Sequence, residues 1–186
     1  MMKRGQIVAM SMAVSAGFGL VGCGVGTHLG QPASVVTAAG VPLCTAHDLS
    51  VHGGREGENM GAHMDVLLRD KGAAACVLRG LPVAARLVPR DGSVLATKLT
   101  TVSSNLVKKA VLLKPRGQNA GDLLLYWGNW CGPAPGPLQI KLTLPGGRGT
   151  VSGSINGPPE YDYVPQCIQP NQPSTLQILA AYLHWR

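Results

Sequence analysis

Leu138, Ile140, Leu142 and Leu144 alternate without interruption with Gln139, Lys141 and Thr143. A strict two-residue period places every apolar side chain on one face of an extended strand, whereas a helix would scatter them around its circumference. The pattern recurs along the chain. Met64, Val66 and Leu68 alternate with His63, Asp65 and Arg69, and Leu67 is the one apolar residue on the polar side. Leu123, Leu125 and Trp127 repeat it, as do Leu49 with Val51 and Leu176 with Ile178. Turn signals separate these stretches. Asp91-Gly92, inside Arg90-Asp91-Gly92-Ser93, predicts a hairpin of Val83–Val88 with Val94–Leu99. Pro145-Gly146-Gly147-Arg148-Gly149 predicts a reversal between strands at 138–144 and 150–155. Residues 44–52 and 62–69 read as strands joined by a loop, 53–61, rich in Gly, Arg and Glu. Val107, Val111 and Lys108-Lys109 allow a helix over 104–112, but a strand or irregular segment is expected there. Short strands punctuated in this way predict an all-β antiparallel sandwich of about eight or nine strands. Its core is aliphatic, because aromatic residues are 4% of the chain and the one Phe, Phe18, precedes the expected domain.

The N-terminus reads as an address. Met1-Met2-Lys3-Arg4 is a short basic start, and Gly5 to Leu20 is uncharged and apolar. It is too short and too weakly apolar for a membrane span and has the order of an export signal. Leu20-Val21-Gly22-Cys23 follows, a small apolar triplet before Cys that resembles a bacterial lipobox. On that resemblance residues 1–22 are a lipoprotein signal peptide and Cys23 is lipidated through its sulfur. The acyl chains then hold the mature protein on the extracytoplasmic face of a membrane. The competing reading is an ordinary secretory signal. Gly24 rather than Asp follows Cys23, so nothing argues for retention at an inner membrane. Residues 23–43 lack Lys, Arg and acidic residues and read as a flexible tether. The domain is expected over 44–180, with a tail at 181–186.

Four cysteines remain: Cys44, Cys76, Cys131 and Cys167. An even number in an exported chain predicts two disulfides, with three possible connectivities. Folding the 44–52 and 62–69 strands into a hairpin brings Cys44 toward Cys76. The 138–144 and 150–155 hairpin likewise returns the chain toward Cys131 before Cys167. The expected pairs are therefore Cys44–Cys76 and Cys131–Cys167. A structural zinc site is the competing use, but no C-x-x-C pair is present and the spacings are wide.

In chain order come Cys44, an alternating second strand, Cys76-Val77-Leu78-Arg79-Gly80-Leu81-Pro82, Leu113-Lys114-Pro115, a strand ending in Trp127, Cys131 and Cys167. This arrangement resembles the DUF 4232 family, an uncharacterised β-sandwich domain of exported proteins and lipoproteins in actinobacteria. The likeness extends over about residues 44–180, and Arg116 here precedes the Gly that the family usually places directly after its Leu-x-Pro turn. The resemblance implies an immunoglobulin-like fold with Cys44 in the first strand, and an envelope location. It implies no activity.

A search for chemistry finds no Gly-x-Ser-x-Gly, Ser-x-x-Lys, His-Glu-x-x-His or phosphate-binding Gly-rich loop, so no catalytic residues and no cofactor are expected. Asp70, Asp91 and Glu160 read as turn residues, and Glu56 with Glu58 as part of a solvated loop rather than a cation chelate. Met60, His63 and Met64 are the one metal hint, because thioether and imidazole suit Cu(I). Against it, Met64 has core parity and His63 lies on the opposite face. Trp127 has inward parity. Trp130, in a Gly/Pro-rich loop beside Cys131, is either a stacking or anchoring ring or a cap on the disulfide. Cleavage before Cys23 leaves 14 basic against 9 acidic residues. Export argues against nucleic acid, and anionic lipid headgroups or envelope polymers are the compatible partners. Lys108-Lys109, with Lys114 and Arg116 nearby, is a candidate docking site or a solubilising edge. The expectation is a non-catalytic, membrane-anchored binding or scaffolding module for another envelope component. A small-ligand or copper-type carrier is the alternative.

Overall fold

A computed structural model of the chain describes residues 40–58, 61–95, 97–103, 105–156 and 164–182. The expected signal peptide, Cys23, most of the tether, Met60, Glu160 and the last four residues lie outside the described residues. The fold is all-β. Ten strands are described: β1 (Leu49–Glu58), β2 (Gly61–Asp70), β3 (Cys76–Arg79), β4 (Ala84–Pro89), β5 (Thr97–Thr101), β6 (Ala110–Leu113), β7 (Gly121–Gly128), β8 (Leu138–Thr143), β9 (Thr150–Ile155) and β10 (Ser174–Ala181). Pro115–Gly117 forms a single 3-10 turn.

Eight strands form one sheet in the order β4-β8-β9-β1-β2-β7-β10-β5, and β3 with β6 forms a second, two-stranded sheet. The outer strands of the large sheet, β4 and β5, are consecutive in the chain. The sheet therefore curls until its edges meet, and the Leu95 N–H donates to the Leu87 carbonyl at 2.9 Å. Curling turns one face of every strand toward a shared interior. The alternating residues fill it: Met64, Val66, Leu68, Leu123, Leu125, Trp127, Ile140, Leu142, Leu176 and Ile178 are all buried in one cluster. The β8 and β9 strands pair antiparallel from Leu138↔Ile155 to Thr143↔Thr150, as the turn at 145–149 predicts. Cys44–Cys76 and Cys131–Cys167 are both bonded.

Several expectations are corrected. The 53–61 segment is not a loop: β1 runs on to Glu58 and pairs with β2 residue by residue. Two pairings, β1 with β9 and β10 with β5, are parallel rather than antiparallel. The predicted 83–99 hairpin keeps its turn at Gly92, but β5 leaves β4 after the Leu87–Leu95 contact and pairs with β10 instead. By contrast, residues 105–113 are a turn, a bridge and β6, the strand or irregular segment expected there. Cys44 precedes the first strand, beside the isolated Leu43↔Val77 bridge. The supposed tail begins inside the core, where Ala181 and Tyr182 are buried. Asp70 is no solvated turn residue: it is buried and its Oδ1 accepts the Gly72 N–H at 2.7 Å.

Two glycines, Gly53 from the stretch read as a loop and Gly153 of β9, serve close packing around β1. A Cβ on Gly153 would lie 1.9 Å from the Val51 carbonyl oxygen, and one on Gly53 would lie 2.5 Å from that of Asp65. Backbone cannot yield as a flexible side chain can. Gly153→Ala is expected to lower stability by about 1–3 kcal/mol, the usual range for overpacking. Gly54→Ala meets nothing within 4 Å and should stay within about 0.5 kcal/mol of the parent. Urea unfolding of both variants checks the contrast, and equal midpoints would contradict it.

Candidate binding surface

The registers give the domain two ends. Gly128 of β7 pairs with Gly61 of β2 and Thr175 of β10, whereas Gly121 at the other end of β7 pairs with Leu68. Seven steps of extended chain separate those ends by about 24 Å. One end carries Cys44–Cys76, the β3–β6 sheet and the 145–149 turn. The other carries Cys131–Cys167 and the loops that precede β8 and β10. We call these the entry end and the far end, because the described chain enters beside β3: Val77 donates to the Pro42 carbonyl at 2.8 Å and Cys44 donates to that of Val77 at 3.0 Å.

At the far end the loops are fixed by Asn129. Its φ of 55° is left-handed, a conformation that Asn tolerates better than most residues. That backbone turns its amide toward the 167–173 loop. Oδ1 accepts the Ile168 and Gln169 N–H groups at 3.1 and 2.8 Å. Nδ2 donates to the Gln169 and Gln172 carbonyls at 3.0 and 3.1 Å. Two donors and two acceptor positions of the side-chain amide are thereby used, so Asn129 is a clasp rather than a ligand-binding group. Cys131–Cys167 closes the same two segments covalently. Beside the clasp lies an open cleft of about 300 Å³ lined by Lys98, Asn129, Ile168, Gln169, Gln172 and Thr175, among others. Ile168 is 55% exposed at its rim.

The two tryptophans divide as their positions predict. Trp127 is buried, and its Nε1–H donates to Ser174 Oγ at 2.7 Å. Ser174 in turn donates to the Gly128 carbonyl at 3.0 Å. Trp130 is half-buried with its ring 6.0 Å from that of Trp127, and its Nε1–H donates to the Pro133 carbonyl at 2.8 Å. It packs against the core instead of standing free, whereas Ile168 is exposed beside the cleft.

The metal hint does not assemble. Met64 is fully buried in the core, and the adjacent His63 faces the other way with its ring edge-on to Tyr126 at 5.5 Å. Met60 lies outside the described residues. Among the described residues no three His, Cys, Asp or Glu side chains converge as a metal site. Glu56 is exposed and, with Glu58, belongs to β1 rather than to a loop.

At the entry end Lys108 and Lys109 are exposed just before β6, and Lys114 and Arg116 are exposed just after it. Two interactions that sequence reading missed hold this end together. Arg148 Nε donates to the Pro145 carbonyl at 2.8 Å, Nη1 donates to that of Cys44 at 3.2 Å, and Nη2 donates to that of Arg79. Partial burial lowers this guanidinium's pKa below the ordinary value. Tyr182 donates its hydroxyl to the Gly80 carbonyl at 2.7 Å, and burial pushes its phenol well above the usual range. Arg55, 2% exposed on the inward side of β1, was also hidden by the loop reading. The acceptors of the Arg148 clamp come from positions 44, 79 and 145, so no short-range pattern marks it.

The disulfides are those of an oxidising, extracytoplasmic environment. Among the described residues no helix is long and apolar enough to cross a membrane. The chain matches no family model, no curated protein and no solved structure.

Proposed function

We propose that the chain is an exported, lipid-anchored envelope protein whose β-sandwich binds or scaffolds another envelope component without catalysing a reaction. The observation that carries this reading is the preorganised loop pair at the far end. A disulfide and a four-bond asparagine clasp hold residues 129–131 against 167–172, with Ile168 raised into solvent beside the cleft. Loops fixed before contact lose little conformational entropy on binding, which is how a small surface gains affinity. An exposed apolar side chain on a rigid polar surround fits an anchor for a partner's pocket.

The test is cross-linking in intact cells from a photoreactive residue at position 168, with Val83 as the reference. Val83 is 64% exposed, at the entry-end side of β4. The expected result is one discrete adduct from 168 that is absent from 83. Ile168→Asp, with the photoreactive residue moved to Gln169, should reduce its yield at least about tenfold, as loss of a central anchor does. Matching adduct patterns from 168 and 83 would sink the reading. A recovered metal or sugar in place of a protein adduct would favour the carrier.

A further inference from the structure

The β3–β6 sheet covers the core with one face and, among the described residues, leaves the other exposed. Cys76, Leu78, Val111 and Leu113 are buried, while Arg79, Ala110 and Leu112 are exposed, with Arg79 opposite Ala110 in register. Leu112 is 47% exposed, and Leu106, in the approach to β6, is 49% exposed. Charge around this face has one sign. Residues 71–82 and 105–121 contain Lys71, Arg79, Lys108, Lys109, Lys114 and Arg116 and no carboxylate. All six basic side chains are exposed. The carboxylates that adjoin these two segments directly, Asp70 and Asp122, are withdrawn from the surface, and Asp48, whose carbonyl accepts the Lys71 N–H, is turned to structural use. Asp48 accepts from Thr45 at 2.8 and 2.7 Å, Asp70 is buried, and Asp122 is half-buried. The 40–44 segment enters the domain along the free edge of β3, through the Leu43↔Val77 bridge, so the described chain begins beside this face.

We propose that the outer face of the β3–β6 sheet docks on an anionic phospholipid surface. The inference rests on the proposed N-terminal anchor for its geometry: a chain tethered to a membrane beside its most basic face presents that face to the headgroups. Each Lys or Arg near such a surface adds attraction within a Debye length, and an exposed Leu can seat among the headgroups. The far end, with Ile168, then faces away from the membrane.

The experiment uses the full chain with whatever anchor it carries. It is reconstituted into vesicles of phosphatidylcholine alone or with about one-third phosphatidylglycerol. Flotation reports attachment, and a water-soluble amine reagent with mass spectrometry reports exposure of each lysine. On anionic vesicles Lys108, Lys109 and Lys114 should label at least about fivefold more slowly than on neutral ones, the factor that one basic residue's attraction represents. Lys98 and Lys141, which lie away from this sheet, should not change. About 0.5 M salt should abolish the protection. A chain that floats with both vesicles while these lysines label equally fast overturns docking and leaves the anchor standing. A chain that floats with anionic vesicles alone supports docking and overturns the anchor. Flotation with neither overturns both. Protection by soluble polyphosphate but not by vesicles would assign the face to an envelope polymer and overturn the lipid proposal.

Discussion

Trp127→Ala is expected to cost about 3–5 kcal/mol of folding stability, the range for removing a large buried aromatic. Trp127 is the penultimate residue of β7, between the pairing strands β2 and β10, and its ring has no exposed surface. The cost has a polar part that can be separated. Trp127→Phe keeps most of the ring but removes the donor to Ser174 Oγ, and Ser174→Ala leaves the indole N–H buried without its acceptor. Each should cost about 1–3 kcal/mol. Because both lesions break the same bond, the double variant should cost less than their sum. Urea unfolding followed by circular dichroism measures all four. A Trp127→Ala cost below about 1.5 kcal/mol would mean that the ring is not the core residue described here.

The two disulfides are expected to open in a fixed order. Cys44 and Cys76 are buried, whereas Cys131 and Cys167 are exposed. Thiol–disulfide exchange needs the attacking thiolate to reach a sulfur, so access decides the rate. Mild reductant on the folded protein, followed by alkylation and mass spectrometry, should label Cys131 and Cys167 first. Cys44 and Cys76 should react only as the domain unfolds. Simultaneous labelling of all four would refute that order. Replacing Cys44 and Cys76 together by Ala should cost about 3–4 kcal/mol on chain-entropy grounds. That is a large share of the stability of a typical domain. The Cys131/Cys167 double variant opens a loop of similar length, with sequence separation 36 against 32. It also frees one side of the Asn129 clasp, so its added signature is faster amide exchange over 167–172.

What could be read from the sequence follows from what is local. Strict alternation specified the inward faces of β2, β7, β8 and β10, because a two-residue period has only one strand geometry that buries it. Hairpin geometry also sufficed for both disulfides, since each pair is brought together by strands adjacent in the chain. The second half of β1 escaped because Gly53-Gly54-Arg55-Glu56-Gly57 has low intrinsic strand preference. Its strand conformation comes from β2 and β9 on either side, and Gly53 is there because the β2 backbone approaches so closely. The parallel pairs escaped for a related reason: β1 meets β9 about a hundred residues later in the chain, and no short-range pattern encodes that. Within the far end, Trp130 drew attention as a large ring, whereas the organising residue is its neighbour Asn129. An Asn directly after a strand is a signal for a left-handed turn, but its four partners come from a loop some 40 residues on.

β10 is the last strand in chain order, yet it is laid between β7 and β5 rather than at a rim of the large sheet. Until it arrives, β7 has one open flank and β5 has no long partner, so a nascent chain lacking its final segment cannot complete the interior. The interior therefore cannot close until β10 has been made. A polypeptide that must pass through a narrow translocation channel in an extended form gains from that delay, because it becomes rigid only after the passage is over.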